Sequence, residues 1–388
     1  MKRKRIAVLG STGSVGMNAC RVAEALRDRI EITALAAGQN SGLLAEQAEK
    51  FHCRTVAIGD AARKEELEQR LPGCRVLCGP EGLIELVKSD EVDMILCAIV
   101  GTGGLLPVME AVRAGKEIAL ASKEVMVMAG EPVMALVREK HGVLIPVDSE
   151  HSAIYQCLNS SLDSRKAGKL ILTSSGGPFR KATPVEMEQA TFERALAHPV
   201  WSMGQKISID SATLMNKALE MIEAHFLFDC PEEKIEVLVH PQSIIHSMVE
   251  FPDGVVLAQL GVPDMRFPIQ YAFTAPDRVP GGLERLNLAK LGHLDFEEPD
   301  LKRFPALNLA RYAIREGGTL PCVMNAANEV AFVRFKNGEI RFTDIFTVIE
   351  KTMVQHKNLR NAGLEDILEA DRAARVFAAA VRTGRELK

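Results

Sequence analysis

Short apolar runs alternate with amphipathic stretches along the first third of the chain. The runs at 5–9, 30–36, 54–58, 74–77, 92–99, 117–120 and 143–147 read as strands, and the segments between them carry the i, i+3, i+4 spacing of helices. That alternation predicts a doubly wound, Rossmann-like α/β domain over 1–147, with a parallel sheet covered by helices on both faces. From 148 to 276 the pattern is mixed, with strand-like runs at 168–173, 234–239, 244–251 and 254–260 and helical ones at 151–159 and 211–228, as expected of an α+β domain. Residues 277–300 are rich in Pro, Gly and charge and read as a linker. Four amphipathic runs near 306–316, 322–337, 343–356 and 364–384 then predict a C-terminal antiparallel four-helix bundle over 301–388.

A chain of 388 residues exceeds one ordinary core, in keeping with several domains. The net charge of −4 and a pI of 6.2 give no general attraction to nucleic acid. The basic start Met1-Lys-Arg-Lys-Arg5 precedes only four apolar residues before Gly10, far short of a secretory h-region. The longest uncharged stretch, Met94 to Met109, contains Gly101, Gly103, Gly104 and Pro107 and is shorter than the roughly 20 residues of a membrane span. Eight cysteines without a Cys-x-x-Cys pair or a Cys/His spacing point to reduced thiols in the cytosol, away from zinc or a disulfide frame.

Three places concentrate polar chemistry. In the first, Arg5-Ile-Ala-Val-Leu9 runs through Gly10-Ser11-Thr12-Gly13-Ser14-Val15-Gly16 into a helical pattern. Strand, glycine turn and helix put backbone N–H groups where a dinucleotide pyrophosphate is attracted; a tight turn without a ligand is the alternative. After the next strand stand Gly38-Gln39-Asn40, where an NAD-binding turn carries an acid for the ribose, so NADP(H) is favoured over NAD(H), with no Arg or Lys in the turn to strengthen the preference. Gly101-Thr-Gly-Gly104 and Ala121-Ser122-Lys123-Glu124 fall on the same sheet edge.

In the second place, Asp148-Ser149-Glu150-His151 follow the seventh strand. Residues two apart on a strand share a side, so Asp148 and Glu150 are expected to converge, and with Glu220 they make three hard oxygen donors suited to Mg²⁺ or Mn²⁺. Solvated surface acids are the alternative. Asn216, Lys217 and Glu220 share a helical face, and Ser211, at the start of the expected helix 211–228, joins Ser175, Asn216 and Lys217 as donors to a phosphate. The third place is the long polar stretch 175–205, which opens on Gly176-Gly177 and contains His198 and Trp201; it reads as a mobile flap, with a fixed surface excursion as the alternative. Together these point to a phosphorylated, sugar-like ketose handled by a metal and reduced by NADPH. A metal-free dehydrogenase acting on a semialdehyde and a non-catalytic NADP-sensing module are the rival readings.

The chain resembles the 1-deoxy-D-xylulose 5-phosphate reductoisomerases over essentially its whole length. The resemblance rests on GSTGSVG at 10–16, AGQN at 37–40, AIVGTGGLLP at 98–107, ASKE at 121–124, PVDSEHSAIYQCL at 146–158, SSGGPF at 174–179, HPVWSMG at 198–204, DSATLMNKALEMIEAHFLF at 210–228, HPQSIIHSMVEF at 240–251 and NAANE at 325–329. It implies rearrangement and NADPH-dependent reduction of 1-deoxy-D-xylulose 5-phosphate to 2-C-methyl-D-erythritol 4-phosphate, in non-mevalonate isoprenoid biosynthesis, by a cytoplasmic homodimer. It also implies Asp148, Glu150 and Glu220 as ligands of Mg²⁺ or Mn²⁺, with Ser175, Ser211, Asn216 and Lys217 on the phosphate. Lys123, Glu150 and His198 would be catalytic; Ser149, Trp201 and Met203 would join them around the substrate. The cofactor would meet Gly10, Ser11, Thr12, Gly13, Ser14 and Val15, then Gly38, Gln39 and Asn40, then Ser122, Lys123 and Glu124, and Gly204. Two positions depart from the family pattern, which often has Asn at Ser122 and a basic residue at Gln39.

Overall fold

The seven apolar runs of the first 147 residues pair as one parallel sheet in the computed structural model, which describes residues 3–159, 167–198, 200–201 and 203–383. Met1 and Lys2 of the basic start, Pro199 and Ser202 of the expected flap, and the last residue of the expected helix 364–384 lie outside the described residues. The strands are β1 (Lys4–Leu9), β2 (Ile30–Ala37), β3 (Thr55–Ile58), β4 (Arg75–Cys78), β5 (Met94–Cys97), β6 (Glu117–Leu120) and β7 (Leu144–Pro146). Their order is β4-β3-β2-β1-β5-β6-β7, so the chain first builds outward from β1 on one side, then crosses to the other. Between β1 and β5 lies the switch point, where successive connections leave in opposite directions and open a crevice at the strand C-termini.

This sheet anchors the first of two compact units, made of Met1–Val125, Val133–Tyr155 and Asp264–Arg285. Ile6, Val8, Leu35, Met94 and Leu96 share its core with Ile269, Ala272 and Phe273 from the helix Arg266–Thr274. That helix packs on Ser14–Ala25 and against β6 and β7. Burying side chains such as Ile269 and Phe273 stabilises the unit by about 1.5–3 kcal/mol each, which is why a segment so distant in sequence closes this sheet.

The second unit comprises Met126–Pro132, Gln156–Pro263 and Leu286–Lys388. Its sheet contains β8 (Lys169–Ser174), β9 (Ile235–Val239), β10 (Ile245–Glu250) and β11 (Val256–Leu260) in the order β11-β10-β8-β9. β8 runs parallel to β9 and antiparallel to β10, and β10 runs antiparallel to β11. The helix Leu320–Lys336 is central among the C-terminal helices, touching Ala306–Glu316, Asp344–Gln355 and Leu364–Ala380, while Ala306–Glu316 also lies along Met215–Phe228. The charged stretch before these helices is fastened to the sheet: Glu297 and Val239 exchange backbone hydrogen bonds of 2.8 and 2.9 Å, and the Gln242 side chain donates to Asp295 at 2.6 Å.

One sequence expectation changes. The expected helix 211–228 is two helices, Gln205–Ala212 and Met215–Phe228, because Leu214 adopts a left-handed φ of 57° and Thr213 turns its hydroxyl onto the backbone of Ile209 and Asp210. In addition, the glycine pair at 176–177, which opens the expected flap, is closely packed in this structure. Gly177 has φ 66°, and a Cβ there would stand 2.6 Å from the Ser211 carbonyl oxygen, so the turn is pressed against the end of Gln205–Ala212.

Gly10 has φ 85°, and a Cβ there would push into the Ala98 carbonyl at the end of β5. Gly10→Ala therefore combines an unfavourable backbone with a backbone clash and is expected to lower stability by about 2 kcal/mol or more. The check is chemical denaturation, where the midpoint should fall with little change of slope; an unchanged midpoint would contradict the packing described.

Candidate active site

At the switch point the glycine turn is built by the sheet. The amides of Gly10 and Ser11 both donate to the Ala36 carbonyl at 2.9 Å, and Gln47 holds the Ser11 carbonyl at 3.0 Å. The helix Ser14–Ala25 then starts with Gly13 as its N-cap and no side-chain hydrogen bond capping its first turn. A Cβ on Gly13 would meet nothing closer than the Gly10 oxygen at 3.4 Å, so the approach to that helix start is unobstructed from this side. The Ser11 hydroxyl is buried with no partner among the described residues. Free helix amides, an open glycine and an unpaired hydroxyl fit a dinucleotide diphosphate. Thr12 and Val15 are half-buried and Ser14 exposed along the same turn. Gly38, Gln39 and Asn40 are exposed at the end of β2, where the Asn40 side-chain oxygen caps the next helix by accepting from the Leu43 amide at 3.1 Å. Ser122 is buried, and its hydroxyl donates to the Ile99 carbonyl at 2.6 Å, joining the exits of β5 and β6.

One strand further on is the acidic corner. Lys123 begins the helix after β6 and pairs through Nζ with Asp148 Oδ2 at 2.6 Å, both side chains being about nine-tenths buried. Burial by itself would push the Asp148 carboxyl up; the Lys123 ammonium and His151, whose Nδ1 is 3.4 Å from Oδ1, outweigh it and hold Asp148 well below the usual carboxylate range. Glu150 follows, its Oε2 accepting from the Ser149 hydroxyl at 2.6 Å, and Glu124 is half-buried near the start of the Lys123 helix. Asp148 and Glu150 do converge, with carboxylate oxygens within 4.8 Å of each other, but not along a strand. β7 ends at Pro146, and Asp148 instead caps the helix Ser149–Leu158, accepting from the Glu150 amide at 3.3 Å. A capping carboxylate satisfies an orphan helix amide that a continuing strand would have paired differently.

In the second unit the sites expected on the phosphate cluster around the break at Leu214. Ser211 is buried in the last turn of Gln205–Ala212, not at a helix N-terminus as the sequence suggested. Asn216 and Lys217 occupy the first turn of Met215–Phe228, and their shared face with Glu220 is as expected. Asn216 donates to Glu220 Oε1 at 2.6 Å, and Lys217 forms an ion pair with Oε2 in which both partners are buried. An exposed surface pair would contribute only a few tenths of a kcal/mol, whereas removing one partner of a buried pair strands the other. Ser175 lies on the neighbouring turn, held by Gly177 against Ser211. Its Oγ accepts from the Gly177 amide at 3.2 Å and sits 2.9 Å from His198 Nε2. His198 Nδ1 accepts from the amides of Val200 and Trp201 at 3.2 and 2.8 Å, so Nε2 carries the proton and donates to Ser175, leaving the Ser175 hydroxyl proton available to a ligand.

The expected flap is largely anchored. Phe179, Met187 and Ala195 are buried, and Phe179 meets Phe342 edge-on at 4.8 Å. The half-buried Trp201 and Met203 and the exposed Gly204 belong to the short stretch beyond, with the Trp201 ring 6.4 Å from the His246 ring. Sequence reasoning gave no role to His151 or His246. Adjacency in Asp-Ser-Glu-His was a usable signal for the first; the second carries none that spacing reveals.

A glycine turn and an uncapped helix start at the switch point of a parallel sheet form the crevice of a dinucleotide-dependent oxidoreductase. Family profiles make it specific: 1-deoxy-D-xylulose 5-phosphate reductoisomerase matches residues 6–130, its C-terminal domain matches 144–228, and the DXP reductoisomerase C-terminal domain matches 260–377. The chain belongs to the 1-deoxy-D-xylulose 5-phosphate reductoisomerase family. It is 52% identical to the enzyme of that name from Prosthecochloris aestuarii over 97% of this chain and 99% of the relative, and 50% identical to that from Protochlamydia amoebophila over 97% and 98%. Among solved structures it is similar to the reductoisomerase of Zymomonas mobilis in complex with NADPH (TM-score 0.92, 43% identity, 98% of this chain and 99% of that one). A DOX-P reductoisomerase in complex with NADPH, fosmidomycin and magnesium gives a TM-score of 0.91 at 40% identity, covering 97% and 98%.

Burial lowers the His198 pKa below its ordinary 6.5. An unfolded His takes its proton at 6.5 and the folded ring only at lower pH, so the stabilisation from neutral His198 is complete above 6.5 and is lost as pH falls through the folded value. An NMR titration of the His198 ring should give a midpoint under 6.5, and His198→Ala should flatten the acid side of the stability profile between that midpoint and 6.5. A midpoint above 6.5 would contradict the Nδ1 acceptor role.

Proposed function

We propose that the protein converts 1-deoxy-D-xylulose 5-phosphate to 2-C-methyl-D-erythritol 4-phosphate with NADPH and a divalent metal, Mg²⁺ or Mn²⁺. The observation that carries this reading is Asp148, paired with Lys123 at 2.6 Å just beyond β7, at the end of the sheet that also bears the Gly10–Gly16 turn. Asp148, Glu150 and Glu220 would hold the metal, an all-oxygen set matched to a hard cation. When bound, such an ion polarises the oxygens of a hydroxy-ketone. NADPH would lie along Gly10, Ser11, Thr12, Gly13, Ser14 and Val15, with its 2′-phosphate toward Gly38, Gln39 and Asn40 and its nicotinamide toward Ser122, Lys123, Glu124 and Gly204.

The chain's own residues do the remaining work. Lys123 supplies an ammonium for proton movement at the substrate oxygens, and Ser149 orients a substrate hydroxyl. Ser175, Ser211, Asn216 and Lys217 take the phosphate, with the positive end of Met215–Phe228 adding to the Lys217 charge. His198, Trp201 and Met203 close over the substrate and exclude water. Functionally, 1–147 would bind cofactor, 148–276 would carry the reacting groups with 175–205 as the flap segment, and 277–300 would connect these to the helical 301–388.

A cytoplasmic homodimer completes the proposal. β11 pairs with β10 on one side only, and it exposes Val256, Leu257 and Leu260 at the sheet edge, where a second copy would cover them. No helix among the described residues is long and apolar enough to cross a membrane.

Asp148→Asn, Glu150→Gln and Glu220→Gln are each expected to lower kcat by about a hundredfold or more while the fold persists, measured as metal-dependent NADPH oxidation with and without EDTA. Activity indifferent to EDTA or to all three changes would remove the metal from the reading. For the cofactor, kcat/KM should favour NADPH over NADH, and Gln39→Asp should reverse or erase the preference by placing a carboxylate against the 2′-phosphate. Equal values for both cofactors in the unchanged enzyme would show that this turn does not discriminate.

A further inference from the structure

The helix Gln205–Ala212 has only eight residues, yet it joins the 197–204 stretch to the corner that carries Ser211, Asn216 and Lys217. Its inward face is charged. Asp210 is 4% exposed and Asn328, on the central helix Leu320–Lys336, is 1% exposed; Asn328 Nδ2 donates to Asp210 Oδ1 at 3.0 Å. The other Asp210 oxygen pairs with Lys206 one turn back, and the Lys206 ammonium stands 6.0 Å from the centre of the Phe332 ring, one turn beyond Asn328. A buried carboxylate is a costly way to join two helices, since an apolar pair of the same shape packs as well. What the polar contact adds is direction: it fixes rotation and register of the short helix, which grease does not. Gly177 also rests on the Ser211 carbonyl, so the residue after Asp210 has a second close contact through its backbone.

We propose that Asp210 and Asn328 are positioning residues that set the phosphate-binding corner of the substrate site. They touch no substrate atom; they hold the turn that does. This rests on the proposed phosphate role of Ser211, Asn216 and Lys217. When the Asn328 donor is lost, Asp210 keeps one partner and relieves the deficit by turning toward water, which displaces Ser211 beside it.

The test is steady-state kinetics with 1-deoxy-D-xylulose 5-phosphate on the full-length holoenzyme, with thermal unfolding measured in the same buffer. Asn328→Asp, which sets two acids against each other, should raise the KM for substrate roughly tenfold, leave kcat within about threefold and leave the KM for NADPH unchanged. The exchange Asp210→Asn with Asn328→Asp rebuilds the hydrogen bond with its polarity reversed and should bring KM back to within about threefold of the unchanged enzyme. If Asn328→Asp fails to fold, Asn328→Ala removes the donor without adding charge and should show the same KM effect. A lower melting temperature with unchanged KM, or an exchange that restores melting but not KM, would make the pair merely structural and overturn the proposal. Ser211→Ala keeps the two readings apart. If it leaves KM unchanged while Asn328→Asp raises it and the exchange restores it, the corner is positioned as proposed and the Ser211 assignment falls; if Ser211→Ala raises KM and the Asn328 variants do not, the positioning proposal falls alone.

Discussion

An acid removed from water must be matched by a cation or give up its charge, and the Asp148–Lys123 contact is how this protein meets that requirement. The two residues follow adjacent parallel strands, β6 and β7, so the sheet that builds the cofactor crevice also brings the ammonium to the carboxylate. Without Lys123, burial would favour the neutral acid, a poor ligand for a hard cation. The ion pair therefore links two properties that are usually discussed separately, sheet register and carboxylate ionisation, and the proposed metal site depends on both.

The proposed phosphate corner obeys a different constraint. Ser211 ends a helix, where the dipole is negative and opposes an incoming phosphate. The favourable end is supplied a few residues later, where Leu214 breaks the chain direction and a new helix starts with Asn216 and Lys217 in its first turn. The corner thus pairs a hydroxyl from an outgoing helix with amides and an ammonium from an incoming one. Thr213 makes the arrangement affordable by capping both, donating back to Ile209 and accepting from the Met215 amide at 3.3 Å.

How much of this was legible in the sequence depended on the range of the interaction. All seven strands of the first sheet and the glycine turn were readable, because period and punctuation are local signals and a parallel sheet follows from their alternation. The shared face of Asn216, Lys217 and Glu220 was readable for the same reason. The capping role of Asp148 was missed because a carboxylate after a strand looks the same whether the next turn extends or coils. The break at Leu214 was missed because leucine is a good helix former, and its left-handed backbone is imposed by tertiary packing against propensity. Nor does any local pattern reveal that Asp264–Arg285 joins the first sheet, that Gly177 is pressed on Ser211, or that Asn328 reaches Asp210 across 118 positions.

The neighbourhood of Trp201 gives the protein an optical property. It is the only indole in the chain, and its nearest ring is His246, whose pKa burial lowers to about 4 although two backbone hydrogen bonds oppose the shift. An imidazolium beside an indole quenches its fluorescence, whereas a neutral imidazole does so far less. Because His246 stays neutral throughout the physiological range, the emission of the unmodified protein reports on the surroundings of Trp201 with little interference from pH. Conformational events there are thus observable without labels, added dyes or engineered residues.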